Sequence, residues 1–201
     1  PGYATTMQLS LNYARKFGDH NVSAMVLFEE QYNNWDSFYA QRVMQMVGEY
    51  LIYGEKEGQI GSMGGAGDVT RQAYVGKLTY DYKGRYMVDF SFREDGSSRY
   101  PKDGRWGFFP GVSAGWRISE EAFMKDITWI DDLKIRGDYG VTGNQDFGNY
   151  LSLSTMSSFG SYYYNGQYFT VWGAGKNPNP GLKWEKGKNW NIGVDFSMFK
   201  G

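Results

Sequence analysis

The chain has 201 residues, a formal net charge of −1 and a pI of about 5.9, so no strong charge marks it as a nucleic-acid binder. Cysteine is absent, which excludes a disulfide framework and thiolate metal sites. A mean hydropathy of −0.59 and the lack of any apolar run of about 18 residues exclude a transmembrane helix, but not a barrel in which only alternate residues meet lipid.

Aromatics make up 18% of the residues, and 17 of them are Tyr. With 28 Gly and few Pro, this suits strands joined by tight turns, and amphipathic rings at a membrane interface. The sequence as it stands opens at Pro1 on material of strand character, with no signal-peptide pattern read there. A mature or truncated segment is expected.

Seven strands are predicted. The first runs from about Thr6 to Phe17, with Met7, Leu9, Leu11 and Tyr13 on one face. A turn at Gly18–Asn21 leads to the second, about Val22 to Tyr32, which is less cleanly two-sided. Residues Asn33 to Asp68 read as a long loop, with some helical character from Phe38 to Leu51 and a Gly-rich run at its end. The third strand, about Thr70 to Tyr82, sets Tyr74, Leu78, Tyr80 and Tyr82 against Lys77, Thr79 and Asp81. After the short turn Lys83–Gly84, the fourth spans about Arg85 to Asp95. Tyr86, Val88, Phe90 and Phe92 alternate there with Asp89, Ser91, Arg93 and Asp95.

The fifth strand, Trp106 to Ile118, is the clearest. Phe108, Pro110, Val112, Ala114, Trp116 and Ile118 share one face, while Phe109, Gly111, Ser113, Gly115 and Arg117 share the other. An apolar face bounded by aromatics and backed by a small, polar face is the pattern of an outer-membrane barrel strand. An acidic connector, Ser119 to Asp132, precedes the sixth strand. That strand, about Leu133 to Thr142, sets Leu133, Ile135, Tyr139 and Val141 against Lys134, Arg136, Asp138 and Thr142. Gly143 to Leu182 reads as a second long loop. The last strand, about Lys183 to Phe199, alternates Trp190, Ile192, Val194, Phe196 and Met198 with Asn189, Asn191, Asp195 and Ser197.

Consecutive antiparallel strands put every second connection on one side. The links after strands one, three and five are compact, and those after two, four and six are extended. Short periplasmic turns opposite long extracellular loops are the asymmetry of outer-membrane barrels. A bacterial barrel needs an even strand count and closure, so seven strands are expected to be part of a larger wall. Both termini read as cuts through that wall.

Catalytic and metal chemistry find little support. His20 is the single histidine and falls in a predicted turn. The pairs Glu29–Glu30, Glu120–Glu121 and Asp131–Asp132 do not converge by local geometry, because neighbouring strand residues point to opposite faces. The Gly64–Gly67 run lacks the following Lys-Ser/Thr of a phosphate loop. No cofactor, metal site or enzymatic activity is expected. Trp35, Phe38 and Tyr39 in the first long loop, and Tyr162, Tyr163, Tyr164, Tyr168 and Trp172 in the second, are candidates for contact with cargo or a partner. Flat rings stack on sugars and peptides, and they equally pack loops onto themselves. Asp89, Arg93, Lys134, Arg136 and Asp138 are expected to face a hydrated lumen, as structural salt bridges or against a polar plug, with direct substrate contact as the alternative.

The stretch DGSSRYPKDGRWGFFPGVSAGWRISEEAFM (Asp95 to Met124) resembles the signature of the SusC/RagA-type TonB-dependent outer-membrane transporters. YVGKLTYDYKGRYMVDFSFREDGSSR, LKIRGDYGVTGNQ and NPNPGLKWEKGKNWNIGVDFSMFKG resemble the strands around it, and LNYARKFGDHNVSAMVLFEEQ also fits. The resemblance covers most of the chain apart from the two long loops. It implies an all-β, antiparallel transmembrane barrel of about 22 strands, plugged by an N-terminal domain. Residues 1–201 would form about seven strands of that barrel, without the plug. It further implies import of glycans or peptides across the outer membrane of a Gram-negative bacterium, energy from TonB, and a SusD-like surface lipoprotein as cap. No position inherits an energy-coupling or substrate role. The alternatives are a passive porin or adhesin barrel, and a secreted β-rich carbohydrate-binding or carbohydrate-active module. The second would need a dry core and a converging carboxylate pair.

Overall fold

A computed structural model describes residues 2–42, 59–149 and 151–199. It contains nine strands: β1 (Gly2–Phe17), β2 (His20–Arg42), β3 (Gln59–Tyr82), β4 (Tyr86–Ser97), β5 (Trp106–Arg117), β6 (Ile130–Asn144), β7 (Met156–Tyr164), β8 (Gln167–Ala174) and β9 (Glu185–Met198). Seven of them form one antiparallel sheet in the order β1-β2-β3-β4-β5-β6-β9, and β7 and β8 form a separate hairpin. The seven predicted strands are the seven of the large sheet.

The period-two pattern sets the register. Phe17, His20, Tyr82, Tyr86, Trp116, Ile135 and Val194 are successive cross-strand partners, so they form one row on one face. Tyr13, Ala24, Leu78, Phe90, Val112, Tyr139 and Trp190 form another row on that face. The opposite face carries Met25–Lys77–Ser91–Gly111 and Ser23–Thr79–Asp89–Ser113–Asp138–Asn191. A slip of one residue would exchange the faces throughout, which is why this alternation specifies one register.

The apolar face ends in aromatics on both sides. At the short-turn end Tyr82 stacks on Tyr86 at 6.3 Å and Tyr86 on Trp116 at 6.4 Å. At the other end Phe28, Tyr74 and Trp106 lie in series at 5.3 and 5.9 Å. Tyr74 and Tyr82 are eight residues apart on β3, roughly 26 Å along the strand, or about 20 Å in height at a barrel tilt. That approaches the height of an outer-membrane apolar band. No layer of the described chain covers this face: Leu9, Val26, Phe90, Val112, Ile192 and Val194 are all exposed. The accessible surface is 15029 Å², against about 9,600 Å² for a compact soluble monomer of this mass.

Two expectations change. Most of Asn33–Asp68 is strand, because β2 and β3 run on together with Trp35 opposite Gly67 and Phe38 opposite Gly64. The helical reading of Phe38–Leu51 fails over Phe38–Arg42, which is extended; its remainder lies outside the described residues. Gly residues on β3 accept the bulky rings of β2 across the ladder, so a composition that reads as loop builds a hairpin wall instead. The second long loop likewise contains a hairpin. Tyr164 and Gln167 pair across Asn165–Gly166, whose φ angles are 49° and 83°. Positive φ at both positions is what an Asn-Gly hairpin turn requires.

Candidate functional site

The short-turn end carries Gly18–Asp19, Lys83–Arg85 and a connector with 3-10 turns at Ile118–Glu120 and Ala122–Met124. The opposite end carries the long β2–β3 extension and the segments 98–105, 145–155 and 175–184. Those three segments knit together on the polar face. Tyr100 stacks on Trp184 at 4.8 Å and meets Phe147 edge-on at 5.0 Å; Phe109 meets Trp184 at 5.4 Å. Trp184 Nε1 donates to the Arg105 carbonyl at 2.9 Å, and Arg99 donates to the carbonyls of Gln145 and Phe147. The buried residues Val69, Ala73, Ser97, Tyr100 and Phe109 all lie at or beside this knot. Gly143 and Gly107 are small for a packing reason, since a Cβ at either would strike the Phe109 ring.

Beside the knot, the polar face holds a cavity of about 240 Å³ lined by Glu29, Arg71, Arg93, Asp95, Gln145 and Trp184. Arg93 donates from Nε to Asp95 at 2.8 Å and reaches Glu29 at 3.3 Å, spanning from β4 to β2. Ala73 lies between Glu29 and Asp95 in the register and is 2% exposed, small enough to let the bridge cross it.

The structure places Asp89, Arg93, Lys134, Arg136 and Asp138 on this same polar face. Asp89 accepts from Thr79 and Ser113 and lies 4.0 Å from Lys77. Arg136 reaches Asp195 at 3.3 Å, and Asp138 accepts from Asn191 at 3.2 Å. Lys134 sits in register between Arg117 and Asp195. Such cross-strand pairs tie neighbouring strands together along this face.

The eight aromatic candidates fall into two groups. Trp35 and Tyr39 share the polar face of β2, Trp35 lying over Gly65 and Gly67, while Phe38 faces the other way and is 78% exposed. These three are strand residues and not loop residues. On the β7–β8 hairpin, Tyr162 and Tyr164 stack at 6.3 Å on one face. Tyr163 and Tyr168 meet at 4.9 Å on the other, which also carries Trp172. All five are exposed, and the hairpin pairs with no strand of the large sheet. Sequence reasoning missed Glu29, Tyr100 and Trp184. The return to a charged residue at Glu29 after Met25 and Leu27 on the same face, and the lone Trp184 after a Pro/Gly turn, were the available signals. Among the described residues no cluster of His, Asp or Glu could hold a metal ion.

A two-faced antiparallel wall with sorted loops is the geometry of a β-barrel wall. The family model described as TonB dependent receptor-like, beta-barrel matches residues 2–201. The chain belongs to this family. Among similar curated proteins, the TonB-dependent receptor SusC of Bacteroides thetaiotaomicron is 33% identical over 99% of this chain and 20% of its own length. The TonB-dependent receptor P39 of Formosa agariphila is 33% identical over 94% of this chain and 18% of its own length. The chain thus spans about a fifth of the length of these relatives. Among solved structures, the RagAB peptide importer in its closed-closed state superposes with a TM-score of 0.81, at 21% identity over 98% of this chain and 22% of that one. The open-open state superposes at 0.75 and 22% identity, covering 98% of this chain and 21% of that one. These superpositions place the TonB-dependent receptor sheet described above inside a barrel fold.

Proposed function

We propose that this chain is wall from a plugged outer-membrane barrel that imports glycan or peptide cargo. The observation that carries the reading is the sheet itself. One face is a continuous apolar band with aromatic rows at both edges, and the other is a lattice of hydrogen bonds and salt bridges. Similarity to SusC along the whole chain supports it. On this reading the apolar face meets lipid and the polar face, with Asp89, Arg93, Lys134, Arg136 and Asp138, meets a hydrated lumen or the plug. The long-loop end is extracellular. TonB supplies energy through parts of the protein outside this chain, and a SusD-like lipoprotein covers the mouth. The segment is read as wall and not as an enzyme: most charges of its polar face stand in cross-strand pairs, and among the described residues no carboxylate cluster could hold a metal ion.

The β7–β8 hairpin is the part that meets cargo or the cap. Its rings are exposed, it pairs with no strand of the large sheet, and it lies at the long-loop end, where loops carry binding. Replacing Tyr162, Tyr163, Tyr164 and Trp172 with Ala in the full-length transporter should lower uptake or loosen the cap. Each stacked ring contributes roughly 0.5–1.5 kcal/mol beyond area burial. Phe123 and Trp129, at the opposite end, serve as controls. Unchanged uptake and cap association with normal barrel assembly would reduce these rings to loop packing.

A further inference from the structure

The apolar face has one charge in an unexpected place. Its first three rows from the short-turn end are those of Phe17, Arg15 and Tyr13, and Arg15 is the one permanent charge among their described residues. Its row partners Val22, Tyr80, Val88, Ala114, Gly137 and Ile192 place it squarely on the apolar side. The guanidinium folds toward the short-turn end and lies 4.8 Å from the Phe17 ring centroid. A long basic side chain on a lipid face extends this way to bring its charge to the interface.

The neighbouring carboxylates are already taken. Lys83 holds Asp19 at 3.0 Å, and Arg85 holds Glu121 at 3.7 Å. Arg15 has no carboxylate partner among the described residues. The polar atoms beside it on the same face belong to His20 and Tyr80, joined at 2.8 Å between Nδ1 and the hydroxyl.

Further along the same face lies an apolar groove of about 540 Å³, lined by Leu9, Leu11, Val26, Phe28, Tyr74 and Phe92. Gly76 makes the dip. With no side chain there, the Phe92 ring lies down over the strand, and a Cβ would fall 2.3 Å from it. Leu11 and Leu9 stand four and six residues from Arg15, roughly 13 and 20 Å along a tilted strand. One leaflet of a bilayer is about 15 Å of hydrocarbon deep. The groove therefore begins where an acyl chain would run if its headgroup lay at Arg15.

We propose that Arg15 and this groove hold one phospholipid of the periplasmic leaflet, its phosphate diester against the Arg15 guanidinium and one acyl chain along Leu11, Val26 and Phe92. The site rests on the reading of the apolar face as lipid-facing. The phosphate supplies an anion for Arg15, which has no carboxylate partner among the described residues. The shared chemistry is the phosphate diester, so both a phosphatidylglycerol and a phosphatidylethanolamine can enter.

The test uses the full-length transporter in detergent, titrated with palmitoyl-oleoyl phosphatidylglycerol and separately with palmitoyl-oleoyl phosphatidylethanolamine. Bound lipid is counted by native mass spectrometry. Wild type should retain one tightly held lipid above the non-specific background. Arg15→Gln should weaken that binding about tenfold or more, the scale of a lost hydrogen bond to a charged group. Leu11→Ala should weaken it less, through chain contacts alone, with the same lipid count at saturation. Heat-modifiable migration of each variant from outer-membrane fractions reports barrel assembly. Failure to insert at all would overturn the membrane reading itself. Normal insertion with identical lipid retention in wild type and Arg15→Gln would overturn the lipid site alone.

Discussion

Single residues hold this wall through bridges across strands. Arg93 is the clearest, since it bridges both Glu29 and Asp95. Its side chain is 45% exposed, so solvent screens much of the attraction. Arg93→Met should cost about 1 kcal/mol, the upper end for an exposed pair, because two partly shielded carboxylates lose their shared cation. The urea midpoint of the micelle-folded barrel measures this, and adding Glu29→Gln should recover part of the loss. At the short-turn end, Glu121 accepts hydrogen bonds from the Tyr86 hydroxyl and the Trp116 indole, the latter at 3.1 Å. The Tyr86 bond, then the Trp116 bond, hold its carboxyl below the ordinary carboxylate value. A depressed carboxyl stabilises the fold above its unfolded pKa, and that contribution is lost as pH falls through the folded pKa. Wild type should therefore exceed Glu121→Gln in thermal stability near neutral pH, and the gap should close in acid. An equal gap at both pH values would show that Glu121 acts through shape alone. The Arg93–Glu29 bridge was not legible in the sequence, because the two residues are 64 positions apart and meet only through the register.

Among the elements, the β7–β8 hairpin stands apart. Two strands alone are marginally stable in water, so the turn has an unusual share in holding them. Gly166 adopts φ 83°, a conformation costly for a β-branched side chain. Gly166→Val should open the hairpin by roughly 1–2 kcal/mol while leaving the large sheet intact. Limited proteolysis of the full-length protein checks this: new cuts should fall within Met156–Ala174 and nowhere on the wall. The hairpin also shows where sequence reading stops. The wall strands were legible because each has two unlike faces, which period two displays directly. Met156–Ala174 carries aromatics on both faces, so it has no such contrast, and only Asn165–Gly166 signalled the turn. The extension of β2 and β3 was hidden for a related reason. Its rings on β2 are matched by glycines on β3, and a glycine run reads as loop until its partner strand is known.

Among the described residues one seven-stranded sheet, with the β7–β8 hairpin beside it, makes up the molecule, and this governs how it behaves. A soluble domain covers the apolar face of a sheet with a second layer. Here the covering is absent from the described residues, and the surface exceeds that of a compact monomer of the same mass by more than half. The edges β1 and β9 also present strand backbone with no neighbour on the outer side among the described residues. Both features drive association in water: an apolar face seeks lipid or another face, and an open strand edge seeks another strand. Removing detergent from residues 1–201 expressed alone should therefore give aggregates or mixed oligomers without a cooperative melt. Size-exclusion chromatography with light scattering, followed by a thermal scan, makes the measurement. A monodisperse monomer melting in one sharp transition would mean that the apolar face is covered without lipid, and a soluble β-domain would then describe this chain better than a membrane wall.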